Sequence, residues 1–127
     1  MHIDDISIDL SKLEKGVYYL GSYGATGKSY LYKLLNSLKE DNQDILALTY
    51  DKYRDNNILL DILYRFNGQY IMLDKLDLYI TQGIIDFLKS TDKIVLIDLK
   101  NIKLLRKLPV SIAEVSMYRN KIEVNIL

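Results

Sequence analysis

The chain has 127 residues, of which 17 are basic and 17 acidic, so it carries no net charge at neutral pH. That balance offers no general field to draw in nucleic acid or an acidic membrane surface. The absence of cysteine removes disulfides, thiolate nucleophiles and cysteine metal sites. His2 is the only histidine and lies at what is expected to be a mobile terminus, so no histidine triad or zinc site is available. At 49% hydrophobic, the chain has enough apolar material for one compact domain over 1–127. Met1-His2-Ile3-Asp4-Asp5 lacks the basic and apolar parts of a secretory leader, and no apolar run approaches the ~20 residues of a membrane span. A cytoplasmic protein without membrane contact is expected.

In chain order, Val17-Tyr18-Tyr19-Leu20 is a short apolar and aromatic run of strand character. It leads into Gly21-Ser22-Tyr23-Gly24-Ala25-Thr26-Gly27-Lys28-Ser29, whose end matches the phosphate-binding pattern G-x-x-x-x-G-K-[ST]. Each residue type has a physical reason. Backbone N–H groups of residues 23–29 must curl around phosphate oxygens, and glycine at Gly24 and Gly27 keeps a Cβ out of the way or allows a positive φ. Lys28 supplies a cation to the β/γ-phosphates, and the Ser29 hydroxyl suits Mg²⁺. Ser22 stands where the pattern has its first glycine, a small-residue variant with Gly21 one place earlier. The plainer alternative is a glycine-rich turn that only looks like a phosphate loop. Leu31, Leu34, Leu35 and Leu38 then mark a helix with one apolar face, whose positive N-terminus would face the phosphates.

The next strand is predicted at Ile45–Tyr50, followed by a helix through Leu59, Ile62, Leu63 and Phe66. Asp55 or Asn56 could cap that helix and Asn67-Gly68 could end it. Tyr70–Leu73 is the third strand, Ile80, Ile84, Phe87 and Leu88 the next helix, and Ile94–Ile97 the fourth strand. Continuous apolar runs of this kind suit strands covered on both faces, as in a parallel sheet. Ile45, Gln69 and Lys93 recur at an even spacing, the signature of regular βα units with right-handed crossovers. Asn101 to Leu108 reads as a short helix stopped by Pro109. The tail alternates at Ala113, Val115 and Met117 and again at Ile122, Val124 and Ile126, predicting an antiparallel hairpin around Tyr118–Lys121 with one of its strands in the sheet. The expected architecture is α/β: three layers around a doubly wound, mostly parallel sheet of five or six strands, with a C-terminal β-hairpin.

With this order the chain resembles the P-loop NTPase superfamily over residues ~15–100. It looks most like the ATPase branch, including AAA-type proteins, that has an extra strand between the phosphate-loop strand and the Walker-B strand. The resemblance implies ATP and Mg²⁺ as ligands. It assigns Asp74, which ends Ile71-Met72-Leu73-Asp74, to the metal's water shell. Asp98, ending Val95-Leu96-Ile97-Asp98, is the competing assignment, and Asp98 or Asn101 could instead sense the γ-phosphate. The plain alternative for Asp74 is an exposed carboxylate at a strand end.

Two departures bear on activity. Lys75 follows Asp74 where the active branch has a water-polarising Glu, and a protonated lysine cannot act as that base. Asp77 could substitute if the chain turns sharply after Asp74. Arg54, Arg65, Arg106 and Arg119 sit in no recognisable finger motif, and the helical lid of AAA proteins is absent. Tyr50, Lys52, Tyr53 and Arg54 form the best aromatic-basic cluster for base stacking, but without excess basic charge nucleic acid is not the expected partner. Most tyrosines are expected as half-buried rings with the hydroxyl in water; Tyr23, inside the loop, could pack on a nucleotide.

The residues therefore imply a nucleoside-triphosphate-Mg²⁺ binding protein with slow or partner-dependent hydrolysis. A protein partner or a second copy would supply an arginine. The rivals are a degenerate domain working through protein contacts and a small-molecule kinase.

Overall fold

The computed structural model describes residues 2–3, 6–21, 35–36, 44–49, 56–118 and 121–126. They form a mixed α/β fold around one eight-stranded sheet. The strands are β1 (His2–Ile3), β2 (Ile6–Asp9), β3 (Gly16–Gly21), β4 (Ile45–Leu48), β5 (Tyr70–Leu73), β6 (Ile94–Ile97), β7 (Val110–Tyr118) and β8 (Lys121–Ile126). They lie in the order β1-β2-β8-β7-β3-β6-β5-β4. The five strands from β7 to β4 in that order are mutually parallel, whereas β8 runs antiparallel to β7. Two helices, α1 (Asn56–Arg65) and α2 (Gln82–Ser90), connect β4 to β5 and β5 to β6.

The period-2 pattern of the central strands sorts their side chains into two cores, one on each face. Val17, Leu48, Ile71, Leu73, Val95 and Ile97 join α1 and α2 on one face. Tyr18, Leu20, Ile45, Ala47, Met72, Ile94 and Leu96 join Leu10, Leu13 and Leu35 on the other. All four residues of β6 are buried, as its unbroken apolar run requires. Connections running the same way along the sheet with one hand cover the same face. Those from β4 to β5, β5 to β6 and β6 to β7 run one way, and each contributes to the α1–α2 face. The β3-to-β4 connection runs the opposite way, and its Leu35, 1% exposed, is on the opposite face.

Beyond β7 the pattern becomes one-sided. Ala113, Val115, Ile122 and Val124 are buried, while Glu114, Ser116 and Lys121 are exposed. Both hairpin strands join the sheet, not one, because β2 adds to β8 in parallel with Ser7 opposite Lys121. His2, expected at a mobile terminus, instead pairs with Ser7 in β1–β2. The sheet exceeds the expected five or six strands because Ile6-Ser7-Ile8-Asp9 alternates too briefly to signal a strand by periodicity alone. At this edge Lys121 bridges Asp9 (3.6 Å) and Glu123 (2.9 Å) at the surface.

Local signals set the element ends. Thr81 caps α2 by accepting from the Ile84 N–H (3.3 Å). The short helix before Pro109 is a 3-10 segment, Ile102–Lys107, capped by Asn101 on the Lys103 N–H (3.2 Å). Tyr64 of α1 meets Phe87 of α2 edge to face at 5.1 Å. Tyr18 and Tyr79 differ from the expected half-wet rings. Both are buried, and their hydroxyls donate to the carbonyls of Glu14 and Asp74, each at 2.7 Å.

Gly68 ends the α1 region for a reason of space. A Cβ there would lie 2.7 Å from the Asp44 backbone and collide with the Phe66 ring. Gly68→Ala should therefore push β4 and the turn before β5 apart and destabilise the fold by ~1–3 kcal/mol. Urea unfolding of the variant checks this, and an unchanged midpoint would show that the turn yields freely.

Candidate functional site

The carboxyl ends of β3, β6, β5 and β4 form one edge, where the chain leaves the sheet at Gly21, Asp98, Asp74 and Thr49. Backbone bonds tie this edge together. The Asp74 N–H donates to Leu48 O (2.9 Å), the Asp98 N–H to Leu73 O (3.0 Å), and the Leu76 N–H back to Asp98 O (2.8 Å). That last bond needs the chain to turn immediately after β5. Lys75 makes the turn in the left-handed region at φ 54°, uncommon for a non-glycine residue, and Leu76–Leu78 continue as a single 3-10 turn. The sharp turn that Asp77 would need is thus present, with Asp77 half-buried on it.

Asp74 is not an exposed strand-end carboxylate. It is 8% exposed, the one buried charged residue among those described. The Thr49 hydroxyl donates to its Oδ2 at 3.1 Å, and its carbonyl holds the Tyr79 hydroxyl. Burial pushes the Asp74 carboxyl above the ordinary carboxylate value; the Thr49 hydrogen bond opposes this, and the neighbouring Asp98 carboxyl adds to it. Two acids side by side, one of them desolvated, are suited to receive a cation or its water shell. Among the described residues no group of three or more acidic or histidine side chains forms a closed metal cage. Mg²⁺ needs none when a nucleotide's phosphates and waters complete its shell.

Thr49 was invisible as a site residue in the sequence, where it is one threonine near a strand end; only the strand order puts it on Asp74. The loop residues Ser22, Tyr23, Gly24, Ala25, Thr26, Gly27, Lys28 and Ser29 lie outside the described residues, as do the Tyr50–Arg54 cluster and Arg119. Of the described arginines, Arg65 ends α1 and pairs with Asp61 at 2.9 Å. Arg106 shortly precedes β7. Both therefore approach the amino edge of the parallel strands, opposite Asp74.

Compared with family models, with curated proteins and with solved structures, the chain matches none of them. Among the described residues no helix is long and apolar enough to cross a membrane.

The raised Asp74 acid has a definite sign for stability. The folded state holds this proton more tightly than the unfolded chain, so stability falls as pH rises from the ordinary carboxylate value through the raised one, then levels off. Asp74→Asn keeps an acceptor for Thr49 and removes the buried charge. It should make the ligand-free protein more stable at neutral pH and flatten that acid-side slope. Chemical denaturation across the acidic to neutral range reads both effects, and a variant less stable at neutral pH would contradict the assignment.

Proposed function

We propose that the protein binds a nucleoside triphosphate, ATP by resemblance, with Mg²⁺, and hydrolyses it slowly unless a partner completes the site. One observation carries this reading. The motif ending in Gly27-Lys28-Ser29 begins where β3 ends; the connection leaving β3 runs one way along the sheet over one face, and the connection leaving its neighbour β6 runs the other way over the opposite face. In open α/β sheets ligands bind at the carboxyl ends of strands beside such a reversal. The order β4-β5-β6-β3-β7 also sets one strand, β6, between the phosphate-loop strand and the strand ending in Asp74. That is the arrangement implied by the ATPase branch the sequence resembles, and it supports a three-layer, doubly wound reading of the sheet.

In this reading Lys28 holds the β/γ-phosphates, and Ser29 and Asp74 hold the metal and its water. Asp98 lies at the crevice between β6 and β3. Mg²⁺, when bound, neutralises phosphate charge. Thr49 fixes the Asp74 carboxyl, and Lys75, turned outward by its left-handed backbone, leaves Asp77 as the remaining acid after β5.

Binding is tested by thermal unfolding with ATP, ADP, GTP and GDP, with and without Mg²⁺. A nucleotide at 100-fold its dissociation constant should stabilise the fold by ~2.7 kcal/mol. Lys28→Ala should abolish most of that gain and leave the ligand-free melting point nearly unchanged. No shift at millimolar ATP-Mg²⁺, with no heat by titration calorimetry, would leave the degenerate protein-binding domain as the better reading.

Hydrolysis by the purified protein should be slow. Positioning and charge neutralisation supply nearly all the acceleration of phosphoryl transfer. No described arginine approaches the Asp74 edge, and Lys75 replaces the usual base. Turnover should be nearer the ~10⁻⁴ s⁻¹ of a GTPase without its arginine finger than the ~1–100 s⁻¹ of kinases. Steady-state phosphate release measures it. Several turnovers per second, lost in Asp77→Asn, would instead make Asp77 a working base.

A further inference from the structure

A second feature lies on the α1–α2 face, apart from the Asp74 edge. Between α2 and the segment leading into β7 is an open cleft of about 470 Å³, lined by Gln82, Ile85, Lys89, Arg106, Lys107, Leu108 and Pro109. Its floor is apolar: Ile85 and Leu108 are each 8% exposed, and Pro109 adjoins them. Its rim is cationic. Lys89, Arg106 and Lys107 are all exposed, and among the described residues no carboxylate lines the cleft. Asp86, the nearest acid on α2, is engaged by the Gln82 side-chain amide at 2.9 Å.

This distribution contrasts with a chain whose charges cancel overall. Lys89 and the Arg106-Lys107 pair each stand in the last turn of their own segment, where cations suit the helix dipole. The dipole accounts for each separately; it does not account for two segments turning their cations toward one apolar-floored cleft.

We propose that this cleft is a docking site for an acidic, partly apolar peptide segment of a partner protein. Carboxylates of such a segment would meet the three cations, with Arg106 able to hold one bidentately, while an apolar side chain covers Ile85 and Leu108. Charge complementarity selects this occupant. A nucleic-acid strand fits less well because, among the described residues, none lining the cleft is an aromatic ring for a base to stack on. The site is independent of nucleotide binding at the Asp74 edge and stands or falls separately from it.

The test is fluorescence anisotropy with a short labelled peptide alternating glutamate and leucine. Comparison probes are a serine–leucine peptide and a labelled single-stranded oligonucleotide. The full chain should bind the acidic peptide, more weakly as salt rises, and bind the serine peptide poorly. The triple variant Lys89→Glu, Arg106→Glu, Lys107→Glu should weaken binding by ~10-fold or more while staying folded, with only a small drop in melting temperature from the lost dipole contacts, since all three side chains are exposed. Should charge reversal disturb the fold, the Lys89→Gln, Arg106→Gln, Lys107→Gln variant carries the same expectation with a smaller loss. Failure of the wild-type chain to bind the acidic peptide, or equal binding by the folded variants, overturns the proposal. Tighter binding of the oligonucleotide, lost in the same variants, overturns it in favour of a nucleic-acid surface.

Discussion

β3 carries the constraint on which the other elements depend. It is paired on both sides, with Val17 opposite Val95 of β6 and opposite Val110 of β7, so its backbone hydrogen bonds are used by its neighbours. Its side chains alternate between the two cores, Val17 into one and Tyr18 and Leu20 into the other. A strand enclosed in this way can meet solvent only at its ends. Gly21, where the glycine-rich motif begins, therefore ends β3 at the carboxyl edge, beside the end of β6.

The same enclosure explains the acid at that edge. Asp74 follows a strand with three buried residues and is itself nearly covered, which raises the cost of its charge. Thr49 and Tyr79 satisfy hydrogen bonds around it without supplying a positive charge. Burial and the nearby Asp98 still favour the neutral acid. A protein selected only for stability would avoid such a group. Its presence beside a left-handed lysine concentrates two local costs at one strand end, as sites that await a ligand often do.

Charge is unevenly placed despite a net of zero. Asp74 and Asp98 adjoin at the carboxyl edge beside Lys75, while Lys89, Arg106 and Lys107 line the cleft on the helical face. Composition averages these away. A balanced count therefore excludes a global field and leaves local fields open, which is why the cationic cleft could not be read from the charge total.

The sequence by itself determined the strands from β3 onward, though not β1 and β2, and how many of their faces are covered. Ile94-Val95-Leu96-Ile97 is unbroken and buried throughout, whereas Ala113, Val115, Ile122 and Val124 alternate and face one core. It also determined the helices through Leu59–Phe66 and Ile80–Leu88 and the position of the glycine-rich motif after β3, because these are local patterns of side chain and backbone; the caps at Thr81 and Asn101 are equally local, though only the structure picked them out. What only the tertiary structure decided is adjacency. Backbone ladders pair strands without an address in the residues, so the insertion of β6 between β3 and β5 was expected from the resemblance and from no local pattern, and the docking of β2 on β8 had no signal at all. The contact of Thr49 with Asp74 and the placing of Lys89 and Arg106 on one cleft follow from that order, as does the left-handed turn at Lys75 that closes Leu76 onto Asp98. Each joins residues far apart in the chain or strains one that its own propensity would leave relaxed, and burial shared across the whole sheet holds them in place.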